Sequence, residues 1–183
     1  MEINNKTILM DPNDILRMKA EDVTLPLSAE DRDLLQQMLE YVRNTHDEQY
    51  CEEHDCRASV GIAAPQIGVS KRMLAISIED EDDRLEFALV NPRIIANSVR
   101  MAYLENGESC LSVSPDVEGY VPRYFKITVR AYNLLTDRLE DIRLKGYPSI
   151  VMQHEIDHLY GKLYYDHINQ TNPWQEIADA VIV

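Results

Sequence analysis

The sequence predicts an α+β fold, in which helical segments lie toward both ends of the chain and β-strands lie between them. A stripe of apolar residues at helical spacing follows Ser28, as in an amphipathic helix. Residues 124–133 instead alternate apolar and polar side chains, the two-residue period of a half-buried strand. His154 and His158 stand four residues apart near the C-terminal end, which places both side chains on one helix face. We expect this C-terminal helix to pack on the sheet.

Local signals mark the ends of the predicted elements. Asp11-Pro12 opens a short helix, and Ser28 with Asp31 resembles a capping box for the amphipathic helix. Pro148 suits the first turn of the C-terminal helix, and Gly161 suits its end. The apolar stripe of the amphipathic helix consists of Leu34, Leu35, Met38, Leu39 and Val42. Strands are predicted at residues 73–79, 86–90, 124–133 and 141–144.

Length and charge limit the classes of protein to consider. A chain of 183 residues suits one domain, and we expect residues 1–183 to form it. The formal net charge of −14 argues against nucleic acid and anionic membranes as partners, because phosphate binding requires clustered lysine and arginine. Acidic residues crowd in 48–55 and 79–83, which we interpret as solvated loops. No apolar run approaches the roughly 18–20 residues that span a bilayer.

The pattern His-Glu-x-x-His at residues 154–158 has a definite chemical use. Two histidines on one helix face can bind the same divalent cation, and Glu155 can accept a proton from water on that cation. The alternative is chance, because the chain has five histidines and two of them can fall four apart on a buried helix. A third candidate ligand elsewhere in the chain would favour a metal site over a chance match.

The three cysteines are Cys51, Cys56 and Cys110, which give no disulfide pattern, and we expect no secretory segment before them. We therefore expect a reducing compartment and free thiols. Cys110 is the candidate third ligand, although a single cysteine is more often a small core residue. Cys51 and Cys56 flank His54 and offer a second candidate site, but a solvated loop is the favoured interpretation there.

Three separated motifs resemble those of the peptide deformylases. They are Gly-Ile-Ala-Ala-Pro-Gln at 61–66, Glu-Ser-Cys-Leu-Ser at 108–112 and Gln-His-Glu-Ile-Asp-His-Leu at 153–159. Residues 91–92, 121–123 and 161–163 are also similar, so the resemblance extends from about Ile15 to Ile168. The long segment between Leu39 and Ser59 resembles the longer subgroup from Gram-positive bacteria. The resemblance implies antiparallel β-sheets packed around a central His-Glu-x-x-His helix, with an N-terminal helical segment, in a single catalytic domain.

The resemblance also implies one divalent metal ion per chain. Its ligands would be Cys110, His154 and His158, and Glu155 would be the catalytic base. The donor set alone suits Zn²⁺ by softness and geometry. The resemblance instead favours Fe²⁺, with Zn²⁺, Ni²⁺ and Co²⁺ as alternatives.

Further residues of the expected site bind the substrate. The side-chain amide of Gln66 and the backbone N–H of Leu111 would stabilise the developing oxyanion. The backbone around Val60 and Gly61 would pair with an extended peptide, as when a strand adds to a sheet edge, and Ser109 would lie beside it.

An ion pair between Glu108 and Arg123 would brace the Cys110 loop, and His167 is expected to be structural.

Two serines depart from the family pattern. Ser59 and Ser109 stand where the first and second motifs usually have glycine. If Ser109 must adopt a left-handed conformation, the substitution costs roughly 1 kcal/mol. If the glycine makes room for bound peptide, the added side chain narrows the substrate channel.

The function implied by the resemblance is removal of the N-formyl group from formyl-methionine on nascent polypeptides, with release of formate. We then expect a cytoplasmic monomer that acts near the ribosome, without nucleic acid or membrane partners. A general His-Glu-x-x-His metallopeptidase is one alternative, and it would need Asp166 or His167 as a downstream third ligand. A weakly active or inactive relative that binds peptide N-termini is the other, motivated by Ser59 and Ser109.

Overall fold

The computed structural model of the protein describes residues 2–79 and 84–183, which form two β-sheets and three α-helices. The α-helices are α1 (Ala29–Asn44), α2 (Glu48–His54) and α3 (Tyr147–His158). The strands are β1 (Gly61–Ala63), β2 (Met73–Glu79), β3 (Arg84–Asn97), β4 (Met101–Tyr103), β5 (Arg123–Tyr124), β6 (Lys126–Asn133), β7 (Arg138–Lys145) and β8 (Val181–Ile182). Short 3-10 helices cover Asp14–Arg17, Ala64–Ile67 and Tyr164–His167. This is the predicted α+β architecture.

The larger sheet is antiparallel throughout and has the strand order β1-β2-β3-β6-β7, so β1 is an edge strand. The smaller sheet has the order β5-β4-β8, in which β4 and β8 are parallel. Helix α3 contacts β1, β2 and β7 of the larger sheet and β5 of the smaller one. It therefore occupies the centre of the fold, as the resemblance implied.

Strand β2 separates two apolar cores and is buried on both faces. Met73 and Ala75 face the core built on α1, whereas Leu74 and Ile76 face the core built on α3. Side chains alternate across a strand, so burial on both faces requires an uninterrupted apolar run, which is what residues 73–76 provide. The larger sheet thus holds α3 on the opposite side from α1.

Helix α1 begins as predicted, but only half of its capping box forms. The Ser28 side chain accepts a hydrogen bond from the Asp31 backbone N–H at 3.1 Å. The Asp31 carboxylate binds the Lys71 ammonium instead of returning to the Ser28 backbone. The short helix expected after Asp11-Pro12 is the 3-10 helix at Asp14–Arg17.

Three strands differ from their predicted bounds. The strand predicted at 141–144 is longer at both ends, as β7 at Arg138–Lys145. Strand β3 continues past residue 90 because Asn91, with φ of +52°, forms a bulge that accommodates Pro92. The strand expected at 124–133 is divided at Phe125 into β5 and β6, which belong to different sheets. The backbone N–H of Tyr124 donates to the Gln153 side chain, whose amide donates back to the Tyr124 carbonyl. Helix α3 therefore takes the place of a neighbouring strand at Tyr124.

The first acidic run was wrongly predicted as a loop, because Glu48–His54 is helix α2. Asp47 caps it by accepting hydrogen bonds from the N–H groups of Gln49 and Tyr50. None of its residues is buried, so its charges are solvated although the backbone is helical. In the second run, Glu79 ends β2, and residues 80–83 lie outside the described residues. Within the described part of the chain, no helix is long and apolar enough to cross a bilayer.

Candidate active site

Helix α3 is fixed by a glycine before its first turn and by one glutamine in its middle. Gly146, with φ of +61°, turns the chain from β7 into the helix, and Pro148 lies in the first turn as predicted. The Gln153 amide then donates to Ser149 and Tyr124. With the rotation of α3 fixed in this way, His154 and His158 face the same side, with ring centroids 5.1 Å apart.

The loop that carries Cys110 lies against this face of α3. The Cys110 Sγ is 3.3 Å from Nε2 of His158. The candidate ligand atoms of Cys110, His154 and His158 all lie within 4.8 Å of one another. Residues 2–79 and 84–183 contain no other such group of three potential ligands. The fold therefore brings the three predicted metal ligands together, although Cys110 lies far from the two histidines in sequence.

The chemistry of this group fits one divalent cation. Ligands at about 2.0–2.3 Å from a tetrahedral ion lie about 3.5 Å from each other, which the spacing of the three side chains allows. Nδ1 of His154 is hydrogen-bonded to Glu108 at 2.8 Å, so its other ring nitrogen is left for the metal. Burial alone would raise the pKa of the Cys110 thiol, but His158 and His154 lower it to about 5. A thiolate is the form that binds metal.

A buried ion-pair network connects the Cys110 loop to α3. Arg123 donates two hydrogen bonds of 2.8 Å to Glu108 and a third to Asp157. Burial opposes ionisation of Glu108, yet Arg123 and His154 hold the pKa of its carboxyl at about 2. The expected pair of Glu108 and Arg123 is therefore present, and Asp157 extends it. Nε2 of His167 is hydrogen-bonded to Asp157 at 2.7 Å, in agreement with a structural role.

Glu155 is buried and unpaired beside the candidate ligands. The residue has a relative exposure of 4%, and its Oε2 atom has no hydrogen-bond partner. Burial raises the pKa of Glu155 to about 7, so this carboxyl can both accept and release a proton near neutral pH. A Cβ atom at Gly61 would stand 2.5 Å from Glu155 Oε1, so glycine is needed there to make room for the carboxyl.

Gln66 also reaches this centre. It lies on the 3-10 helix that follows β1, and its Oε1 accepts a hydrogen bond of 2.8 Å from the Ala63 N–H. That contact turns the amide nitrogen toward Cys110 Sγ at 3.6 Å and Ser112 Oγ at 3.2 Å. Leu111 follows Cys110, and its carbonyl accepts a hydrogen bond from Arg57. The Gln66 amide therefore borders the candidate metal centre, and Leu111 is among the residues that line the cleft beside it.

A cleft of about 460 Å³ opens above these groups. One wall is the edge formed by Ser59, Val60 and Gly61, and the opposite wall is the loop at residues 107–111. Ser109 is exposed on that loop and does not have a positive φ, so the predicted backbone cost does not arise. Ser109 is among the residues that line the cleft, so the second alternative, a narrower substrate channel, stays a prediction.

Two other candidate ligand sets lie elsewhere. Asp166 binds Arg17, and His167 binds Asp157, so neither belongs to the group around Cys110. The Sγ atoms of Cys51 and Cys56 are 3.2 Å apart, whereas Nδ1 of His54 contacts the carbonyl of Tyr50. Cys51 and Cys56 therefore form a thiol pair, without His54.

Sequence reasoning missed several residues of the cleft and its support. The missed cleft residues with polar side chains are His46, Arg57, Asp116 and Tyr147. None of them carries a spacing signal, because each reaches the cleft only through the tertiary fold. Asp157 belongs to the helix motif recognised in the sequence, but its ion pair with Arg123 was not predicted.

Comparisons with known proteins agree with this geometry. The sequence profile described as "Polypeptide deformylase" matches residues 5–174. The chain belongs to this family. Peptide deformylase 2 of Bacillus cereus is 49% identical over 176 residues, which cover 96% of this chain and 95% of that protein. Peptide deformylase of Limosilactobacillus reuteri is 46% identical over 182 residues, or 97% of each chain.

Solved deformylase structures share the fold. A peptide deformylase from Legionella pneumophila superposes with a TM-score of 0.73 at 30% identity, covering 94% of this chain and 89% of that one. The peptide deformylase from Thermus thermophilus gives a TM-score of 0.72 at 29% identity, covering 91% and 87%. The predicted family and fold class are confirmed, and the near full-length similarity supports a deformylase hydrolase that depends on a metal ion.

Proposed function

We propose that this chain hydrolyses the N-formyl group of formyl-methionine at the start of newly made polypeptides and releases formate. The observation that carries the proposal is the group of Cys110, His154 and His158, which lies beside the unpaired carboxylate of Glu155 at the base of an open cleft. Three protein ligands are typical of catalytic metal sites, because they leave one position for water or substrate.

The proposed cofactor is one divalent ion, bound through the Cys110 thiolate and the imidazoles of His154 and His158. We propose Fe²⁺ as the native ion on the strength of the family resemblance, although the same donors suit Zn²⁺, Ni²⁺ or Co²⁺. Such an ion, held by these three side chains, would acidify a water molecule and polarise the formyl oxygen.

Glu155 would move the proton of the reaction. The carboxylate accepts a proton from water as the water oxygen attacks the formyl carbon, and it then gives this proton to the departing amine nitrogen. The carbon–nitrogen bond breaks, so the products are formate and a free N-terminus. A pKa of about 7 suits both transfers, because neither protonation state is strongly favoured near neutral pH.

Gln66 and Leu111 would stabilise the negative charge that develops on the formyl oxygen. The Gln66 amide is held in place by Ala63, and the Leu111 backbone is held by Arg57. Donors that are oriented before the reaction need no reorganisation during it, which is why such groups contribute about 10²- to 10³-fold to rate.

The peptide would lie in the cleft between the edge at Val60 and Gly61 and the loop that carries Ser109. β1 is an edge strand, so its outer backbone groups can pair with an extended chain. We propose that the protein works as a cytoplasmic monomer close to the ribosome, where nascent chains become available.

Turnover of a formylated peptide tests this proposal. Protein purified without oxygen should contain about one metal ion per chain and release formate from formyl-Met-Ala-Ser. Glu155→Gln should retain the metal but lose about 10²- to 10⁴-fold in turnover. Cleavage of an internal peptide bond, with the formyl group left intact, would instead support the general metallopeptidase. Metal-loaded protein that binds Met-Ala-Ser without releasing formate from the formylated peptide would support the inactive relative.

A further inference from the structure

The outer edge of β1 presents the backbone groups of Gly61 to the cleft. The carbonyl of Val60 accepts a hydrogen bond of 3.0 Å from the Ser77 N–H, so the polar groups of Val60 face β2. Backbone groups alternate along a strand, which turns the N–H and C=O of Gly61 to the opposite side. That side is the wall of the cleft.

A single hydroxyl group is hydrogen-bonded to both of these backbone groups. Ser59 Oγ donates a hydrogen bond of 2.7 Å to the Gly61 carbonyl and accepts one of 3.3 Å from the Gly61 N–H. The serine side chain therefore makes the two contacts that a neighbouring strand would make with Gly61.

The backbone of Ser59 is held separately from its side chain. The Ser59 N–H donates to Thr45 Oγ1 at 3.2 Å. The proton of this hydroxyl is shared between the Ser59 carbonyl at 3.1 Å and the Val42 carbonyl at 2.9 Å. Thr45 is buried at the C-terminal end of α1. Rotation about χ1 of Ser59 can therefore release Gly61 without movement of the backbone.

We propose that Ser59 determines substrate affinity by competing with the peptide for Gly61. A peptide strand must displace the Ser59 hydroxyl before it can pair with the Gly61 N–H and C=O. Part of the hydrogen bonding gained on binding is thus offset by the internal contacts that are lost. This inference rests on the proposed function, because it assumes that the substrate lies along β1.

Ser59→Ala removes the competing hydroxyl and keeps the Cβ atom. Ser59→Gly is a second variant without the hydroxyl. Ser98→Ala is the matched control, because Ser98 Oγ also donates at 2.7 Å to a carbonyl two residues ahead and accepts from a backbone N–H at 3.0 Å. Ser98 lies between β3 and β4, outside the residues that line the cleft.

Three measurements decide whether Ser59 competes with the peptide. They are the steady-state kinetics of formyl-Met-Ala-Ser, which give KM and kcat, the Kd of the product Met-Ala-Ser by calorimetry, and hydrogen exchange of the Gly61 amide by NMR. We expect KM and Kd to fall about threefold to tenfold in Ser59→Ala and Ser59→Gly, the size of one net hydrogen bond. The Gly61 amide should exchange faster in these variants without peptide. Ser98→Ala should match the unaltered chain.

An unchanged or higher KM and Kd in both hydroxyl-free variants would overturn the inference, because the serine would then be neutral or would orient Gly61 for binding. If no form of the protein releases formate, the proposed function fails. The product Kd and the Gly61 exchange rate would still decide the role of Ser59 in that case.

Discussion

The two walls of the cleft are held in place by different means. The wall at Ser59–Gly61 is held by neutral hydrogen bonds, from the neighbouring strand and from Ser59 and Thr45. The wall at residues 107–111 contains no strand, and buried charges on Glu108 and Arg123 hold it against α3. Loss of one neutral hydrogen bond has a modest effect, whereas loss of one partner of a buried ion pair leaves an uncompensated charge. The loop wall should therefore be the more sensitive of the two.

The largest expected effect is on the charged wall. Arg123→Met leaves the buried Glu108 carboxylate without its main partner, and we expect the free energy of unfolding to fall by about 3–5 kcal/mol. Urea denaturation followed by circular dichroism measures this change. Arg130→Met is the control, because the exposed pair of Arg130 and Asp141 should contribute little. Equal effects of the two substitutions would contradict the distinction between the walls.

Gln66→Leu tests the junction between the walls, because its amide lies between β1 and the Cys110 loop. We expect turnover of formyl-Met-Ala-Ser to fall by about 10²- to 10³-fold through loss of one oxyanion donor. Metal content, measured on the same sample, should not change. Loss of metal in proportion to activity would show that Gln66 supports the ligands and not the oxyanion.

Gly61→Ala tests the neutral wall at its contact with the base. The added Cβ would stand 2.5 Å from Glu155 Oε1, so the carboxyl must shift. We expect kcat to fall by about 10²-fold, as for a misplacement of about 1 Å. Overpacking should lower the free energy of unfolding by about 1–3 kcal/mol. Wild-type kcat in this variant would show that Glu155 tolerates displacement.

The smallest expected effect concerns a surface ion pair behind the neutral wall, between Arg43 of α1 and Glu86 of β3. The hydrogen bond from Arg43 lowers the pKa of Glu86 below its ordinary value. Because the folded pKa lies below the unfolded one, this stabilisation is present above the unfolded pKa and is lost as pH falls through the folded one. Arg43→Gln should cost about 0.5–1 kcal/mol at neutral pH and nothing in strong acid, as measured by urea unfolding across pH. If the difference in unfolding free energy between Arg43→Gln and the unaltered chain grew as pH falls, this prediction would be contradicted.

Much of the fold could be predicted because local signals agreed with tertiary structure. Strand β2 was predicted at its observed bounds, since an apolar run buried on both faces depends little on its neighbours. Helix α1 was also predicted, because its cap and its apolar stripe are both local. The break at Phe125 was not predictable, because the glutamine that satisfies the Tyr124 backbone comes from α3.

In the candidate site too, some features could be predicted from the sequence and others could not. The identities of Cys110, His154 and His158 came from motif and resemblance, and their proximity in the structure agrees with the predicted ligand set. The hydroxyl contacts of Ser59 could not be predicted, since they depend on which side of β1 faces the cleft. Helix α2 was missed because its charges obscured the Asp47 cap, which is a local signal that sequence reasoning could have used.

The hydrogen bonds of Gln153 have a consequence for how the chain tolerates insertions and deletions. One amide group ties the corner at Tyr124 to the turn of α3 that precedes His154. An extra or missing residue at that corner would rotate or lift this turn, and the error would be transmitted to the imidazoles. Insertions should therefore be harmless in the loops remote from this corner and damaging within it, even though the corner touches neither ion nor peptide.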